Sequence, residues 1–163
     1  MLVASRYPEC VAELVSVEGN FTLNDAFWSA SLSRMTPDEA DSMMSNFRAD
    51  PGGWLAGSGV EPTAERLVLA TAWLTHQSGS TLRAMGSAVV QTTGAESYSG
   101  IVRSVFARIP VHLIAGERSV TGWDVPSWAR DNAASRALIP KAGHMMMLED
   151  PKTFSECILN ALR

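Results

Sequence analysis

The segment that most narrows the fold is Pro110-Val111-His112-Leu113-Ile114-Ala115-Gly116, a run of strand-forming residues with a sharp stop on glycine. Such a run reads as a buried strand, and strands buried on both faces are characteristic of parallel sheets. A second run, 11–17 (VAELVSV), has apolar side chains on both faces in its second half and is closed by Glu18-Gly19-Asn20. A third, short one is Arg136-Ala137-Leu138-Ile139-Pro140. Short strands separated by helices argue for a parallel sheet with crossover connections.

The stretches between carry helix signals. Residues 1–9 read as the end of a helix, with Pro8 and Glu9 in the turn after it. Asn24 or Asp25 can start a short helix through Ala26, Phe27 and Trp28. Thr36-Pro37-Asp38-Glu39 joins a cap, a first-turn proline and two acids, and predicts a helix to about Arg48. Asp50-Pro51-Gly52-Gly53 stops it, and 54–60 is expected to be loop. Pro62 and Thr63 open a long helix to about His76, Ser78-Gly79-Ser80 interrupts, and further helices are expected near 80–92 and over 100–107. Asp124-Val125-Pro126 leads into a helix ending near Ala134. Pro151 opens a C-terminal amphipathic helix with Phe154, Cys157, Ile158 and Leu162 on one face. The expected organisation is α/β: a sheet-bearing part over 1–23 and 108–163, and a helical insertion over 24–107 that is too long for one crossover and could form a cap.

Size and charge remove several function classes. The 163 residues have room for one domain, with a formal charge of -4 and a pI near 5.3. No basic run favours nucleic acid or an anionic membrane. No apolar stretch reaches the roughly 18 residues of a membrane span, and the N-terminus lacks signal-peptide order, so a cytoplasmic protein is expected. Cys10 and Cys157 are expected to be buried thiols rather than a disulfide. No His/Cys/Asp cluster has metal-ligand spacing and no glycine-rich fingerprint for a dinucleotide or phosphate is present, so neither metal nor cofactor is expected.

Two stretches carry a resemblance. Pro110 to Glu117 (PVHLIAGE) is followed by a helix, a short strand and the loop Lys141 to Pro151, with Gly143-His144-Met145-Met146-Met147-Leu148-Glu149-Asp150-Pro151. Met1 to Tyr7, the Pro8-Glu9 turn and Leu14 to Val17 read as a helix, a YPE turn and a strand. Together they resemble the C-terminal half of the α/β-hydrolase superfamily, strongly at 1–20 and 110–151 and weakly across the insertion. The resemblance implies a partial α/β-hydrolase fold with a helical cap, and a histidine, His144, at the position of the general base. By that alignment Met1 falls just after the point where the G-x-S-x-G nucleophile elbow would end, and no such motif occurs in the sequence. The chain is therefore expected to be a truncated hydrolase lacking its nucleophile segment.

The acid of the triad has three candidates. Many members of the superfamily place it just after the strand that ends here at Gly116, where this chain has Glu117-Arg118-Ser119 rather than the usual aspartate. Others, similar to the haloalkane dehalogenases, place a glutamate after the preceding strand, and Glu18 fits that arrangement. Glu18 is the favoured acid, with Glu117 and Asp124 as alternatives. A carboxylate at the end of a buried strand also needs a partner on physical grounds, because burying it unpaired costs several kcal/mol. Asn20, Phe27 and Trp28 follow Glu18 and suit either an acyl or aromatic pocket or core packing; Trp54, Trp73, Trp123 and Trp128 carry the same ambiguity. Met145, Met146 and Met147 suit irregular packing beneath a pocket. His76 and His112 read as structural.

Without the nucleophile strand beside it, strand 13–17 becomes a bare edge with unpaired backbone groups. Three readings follow. In one, the chain supplies His144 and Glu18 to an acyl (ester or thioester) hydrolase whose nucleophile comes from a second chain, acting on a small apolar acyl substrate. In another it is a non-catalytic remnant that self-associates through that edge into an oligomer. In the third, His144 works as a lone acid–base.

Overall fold

The structure, a computed structural model, describes residues 1–163. Strands β1 (Leu14–Val17), β2 (Val111–Gly116) and β3 (Ser135–Ile139) form one parallel sheet in the order β1-β2-β3. Leu14 pairs with Val111 and Val17 with Ile114, while His112 pairs with Ser135 and Gly116 with Ile139. The first strand is shorter than the apolar run because Val11 closes a 3-10 turn over Pro8–Cys10, and laddering starts only where the Leu14 N–H reaches the Pro110 carbonyl.

Each residue of β2 is buried, as a central strand covered on two faces requires. Val111 and Leu113 pack with Leu14, Ala4, Phe21 and Val105 in one apolar cluster. Ile114 and Ile139 pack with Val15, Val17, Met146 and Ile158 in another. The period of two along β2 sends neighbouring residues to these separate clusters. Full burial of a side chain such as Ile114 stabilises by roughly 1.5–3 kcal/mol.

Helices α1 (Leu2–Arg6), α7 (Tyr98–Phe106), α8 (Ser127–Asp131), α9 (Met146–Glu149) and α10 (Pro151–Ala161) accompany the sheet in one compact unit, residues 1–25 with 93–163. Helix α7 buries Tyr98, Val102 and Val105, one face at helical spacing, in the cluster shared with β2. It therefore packs with the sheet, although its position in the chain suggested the insertion. Phe21 and Phe106 lie 6.0 Å apart between centroids, and Phe106 meets Trp128 edge-on at 5.4 Å.

The second unit, residues 26–92, is helical. Its elements are α2 (Phe27–Arg34), α3 (Pro37–Ala49), α4 (Pro51–Gly57), α5 (Ala64–Thr75) and most of α6 (Gly79–Thr93). The predicted start of α3 is a complete capping box: Thr36 accepts from the Glu39 N–H, and Glu39 accepts from the Thr36 N–H. The expected loop at 54–60 is wrong in its first half, because α4 occupies it. Asp50 ends α3 and at once caps α4 by accepting from the Gly53 N–H at 2.8 Å, with Pro51 in the first turn. The same four residues that stop one helix start the next.

No helix is long and apolar enough to cross a membrane. Cys10, expected to be buried, is exposed at the end of its 3-10 turn, and Cys157 is half-buried on α10; both are free.

Candidate functional site

Glu18 is the first residue beyond β1, and its N–H extends the ladder to the Ile114 carbonyl at 3.1 Å. Its φ is 39°, left-handed, a conformation that a residue with a Cβ adopts at a cost of about 1 kcal/mol or more. The carboxylate is buried, with only 4% of the side chain exposed. Oε1 accepts from the Gly116 N–H at 2.9 Å and from the Ser119 hydroxyl at 2.5 Å. Oε2 faces the Nδ1 of His144 at 2.7 Å. Both oxygens are thereby satisfied, which is what a buried carboxylate requires.

His144 lies in the loop between β3 and α9, and its side chain is 67% exposed. Packing does not hold the ring in place; the backbone of the loop does. Gly116 lets that loop approach β2, since a Cβ there would meet the Gly143 and Ala142 carbonyl oxygens at 2.4 and 2.5 Å. The Arg118 N–H donates to the Ala142 carbonyl and the Glu117 N–H to the Ile139 carbonyl. The carboxyl ends of β1 and β2 and the loop after β3 thus converge, as ligand sites on parallel sheets do.

The pair polarises itself. The hydrogen bond that His144 donates to Glu18 raises the pKa of His144 above its ordinary 6.5, against the opposing effect of partial burial. Burial pushes the Glu18 carboxyl upward, but the hydrogen bonds from His144, Ser119 and Gly116 together outweigh it and leave the pKa lowered. Glu18 is the sole hydrogen-bond partner of His144. With Nδ1 engaged by a carboxylate, a neutral ring carries its proton there and presents the Nε2 lone pair, the arrangement of an oriented general base. No serine, threonine or cysteine hydroxyl or thiol bonds to Nε2.

The other acid candidates have different partners. Glu117 accepts from the N–H of Lys141, itself left-handed at φ 62°, at 2.6 Å. Asp124 accepts from the Thr22 hydroxyl and the Asn24 amide, tying two loops together. Asn20 receives the Tyr98 hydroxyl on its carbonyl. Phe27 and Trp28 open α2 as exposed residues, and Trp73 is exposed on α5. Trp123 donates its indole N–H to the Gly19 carbonyl and meets the Phe21 ring at a tilt, with centroids 5.7 Å apart. Met146 is fully buried under the histidine loop, while Met145 and Met147 are half-buried. His76 caps the end of α5, exposed, and His112 is buried in β2.

Sequence reasoning missed Ser119 as a partner of the acid. Its one signal was position: it stands where the superfamily resemblance calls for an aspartate, and it bonds to the glutamate that occupies the neighbouring strand end. Arg118 and Glu149 were also missed as ligands of the histidine loop.

No protein-family model matches the chain, and a search of curated proteins finds no match. No group of three or more His, Cys, Asp and Glu side chains is arranged to hold a metal ion.

Proposed function

We propose that this chain supplies the base and the acid of an α/β-hydrolase-type acyl hydrolase, with the nucleophile contributed from outside residues 1–163. The observation that carries the reading is the 2.7 Å contact between His144 Nδ1 and the buried Glu18 carboxylate. The left-handed backbone at Glu18 adds weight, because strain at a non-glycine residue is commonly kept where it aims a functional side chain. In the proposed reaction, His144 Nε2 takes the proton of a serine hydroxyl as it attacks an ester or thioester carbonyl. Glu18 holds the imidazolium that forms and stays ionised. The same histidine then returns the proton to the leaving group and activates the water that clears the acyl-enzyme. Residues 26–92 are read as the cap of such a fold, from their place in the chain order.

The test is acyl-ester and acyl-thioester hydrolysis by the native assembly, its chains identified by mass spectrometry. His144→Ala is expected to lower kcat/KM at least about a thousand-fold. An unchanged rate sinks the proposal.

A second reading rests on a different observation. Strand β1 pairs with β2 on one side and with no strand on the other, and an open edge is a template for association. A homo-oligomer of this chain without hydrolytic activity favours that non-catalytic role.

A further inference from the structure

His144 is mostly exposed, so its alignment with Glu18 depends on what fixes the backbone of residues 141–143. Three side chains do so. Glu117 accepts from the Lys141 N–H, the Arg118 Nε donates to the Lys141 carbonyl at 2.8 Å, and Glu149 accepts from the Gly143 N–H through Oε1 at 2.7 Å. Arg118 and Glu149 are joined to each other by an ion pair between the guanidinium and the other carboxylate oxygen, Oε2. Arg118 also reaches the Ala142 carbonyl through its own N–H. The loop is therefore gripped from the end of β2 and from α9 at once. Gly143 sits inside the grip, where a Cβ would crowd the Arg118 guanidinium at 3.2 Å and Glu149 Oε1 at 3.3 Å.

We infer that Arg118 and Glu149 form a clamp that positions His144 against Glu18, a role distinct from the packing of the sheet. Arg118 is a positioning residue and touches neither the ring nor the reacting atoms. Its guanidinium suits the task because a planar fork can hold a carbonyl through Nε and a carboxylate through a terminal nitrogen in one plane. The inference rests on the proposed Glu18–His144 dyad and refines it.

The charge of Arg118 makes the test decisive. If the arginine acted only as a nearby cation, its removal would raise the pKa of His144, since a positive neighbour opposes protonation. If it acts as a clamp, removal lets the loop drift, weakens the bond to Glu18 and lowers the pKa. The experiment is an NMR titration of His144 in the full chain, with its signal assigned from His144→Ala. In Arg118→Gln the midpoint is expected to fall by roughly 0.5 toward the ordinary histidine value. A rise or an unchanged midpoint overturns the clamp. Where Arg118→Gln fails to fold, Arg118→Lys keeps the charge and loses the fork, and the same fall is expected. A wild-type midpoint at or below 6.5 instead removes the dyad, and that failure is visible before any variant is made.

Discussion

The two ends of one sheet carry the same pair of residue types in opposite states. At the carboxyl end, Glu18 and His144 meet at 2.7 Å with a buried acid and an exposed base. At the amino end, Glu13 and His112 stand 3.7 Å apart, too far for a hydrogen bond, and there the histidine is the buried partner. His112 Nδ1 bonds to the Ser135 hydroxyl at 2.8 Å, but its Nε2 and the Glu13 Oε2 are buried without partners. The difference follows from the backbone. His112 is fixed in mid-sheet by ladders on both sides and cannot shift to close the gap. His144 sits on a loop that can be shaped around its acid. A buried, half-satisfied pair contributes little to stability, whereas a satisfied pair with one open nitrogen is suited to moving a proton.

The largest effect expected is at Gly116. Gly116→Ala drives a Cβ into two backbone carbonyls of the histidine loop, which is predicted to destabilise the fold by about 3 kcal/mol. Urea denaturation measures that loss, and NMR titration should show the pKa of His144 falling with it. Retained stability and an unmoved pKa would mean that the loop does not depend on this close approach.

Next is His112→Ala, which removes the Ser135 bond and leaves a void beside Glu13. A loss of about 2 kcal/mol is expected, with the titration of His144 unchanged because the sites share no partner. Coupling between the two would break the comparison.

The smallest effect is the pH dependence of the dyad. His144 has a raised folded pKa, so its contribution is complete below 6.5 and is lost as pH rises through the folded value. Glu18 has a lowered one, so its contribution is complete above 4.5 and is lost as pH falls through the folded value. The stability difference between wild type and Glu18→Gln should therefore peak between pH 4.5 and 6.5. It should be modest and shrink in high salt, because solvent screens an exposed imidazole. A difference flat across pH would show that Glu18 matters for its shape and not for its charge.

Much of this was legible along the chain. The central strand β2 declared itself as an apolar run, since a strand covered on both faces needs apolar side chains on each, whereas β3 buries only Ile139 and was marked by little more than Ala137-Leu138-Ile139. The start of α3 was written in Thr36-Pro37-Asp38-Glu39, because capping is a local contact. Asp50-Pro51-Gly52-Gly53 misled for the converse reason: stop and start signals share residue types, and only the Asp50 bond to Gly53 shows that both are in use. Glu18 and His144 were singled out in the sequence, but so were Glu117 and Asp124.

The sequence by itself determined the three strands, most of the helices and which carboxylates stand at strand ends, because these depend on neighbours a few residues away, but not α4 or the short α9. Only the tertiary structure decided that Glu18, and neither Glu117 nor Asp124, bonds to His144; that Ser119 and Gly116 complete the acid; and that Arg118 and Glu149 grip the loop. Those contacts join residues far apart in the chain, and their geometry is set by sheet register and by the close approach at Gly116. No periodicity or local spacing encodes it.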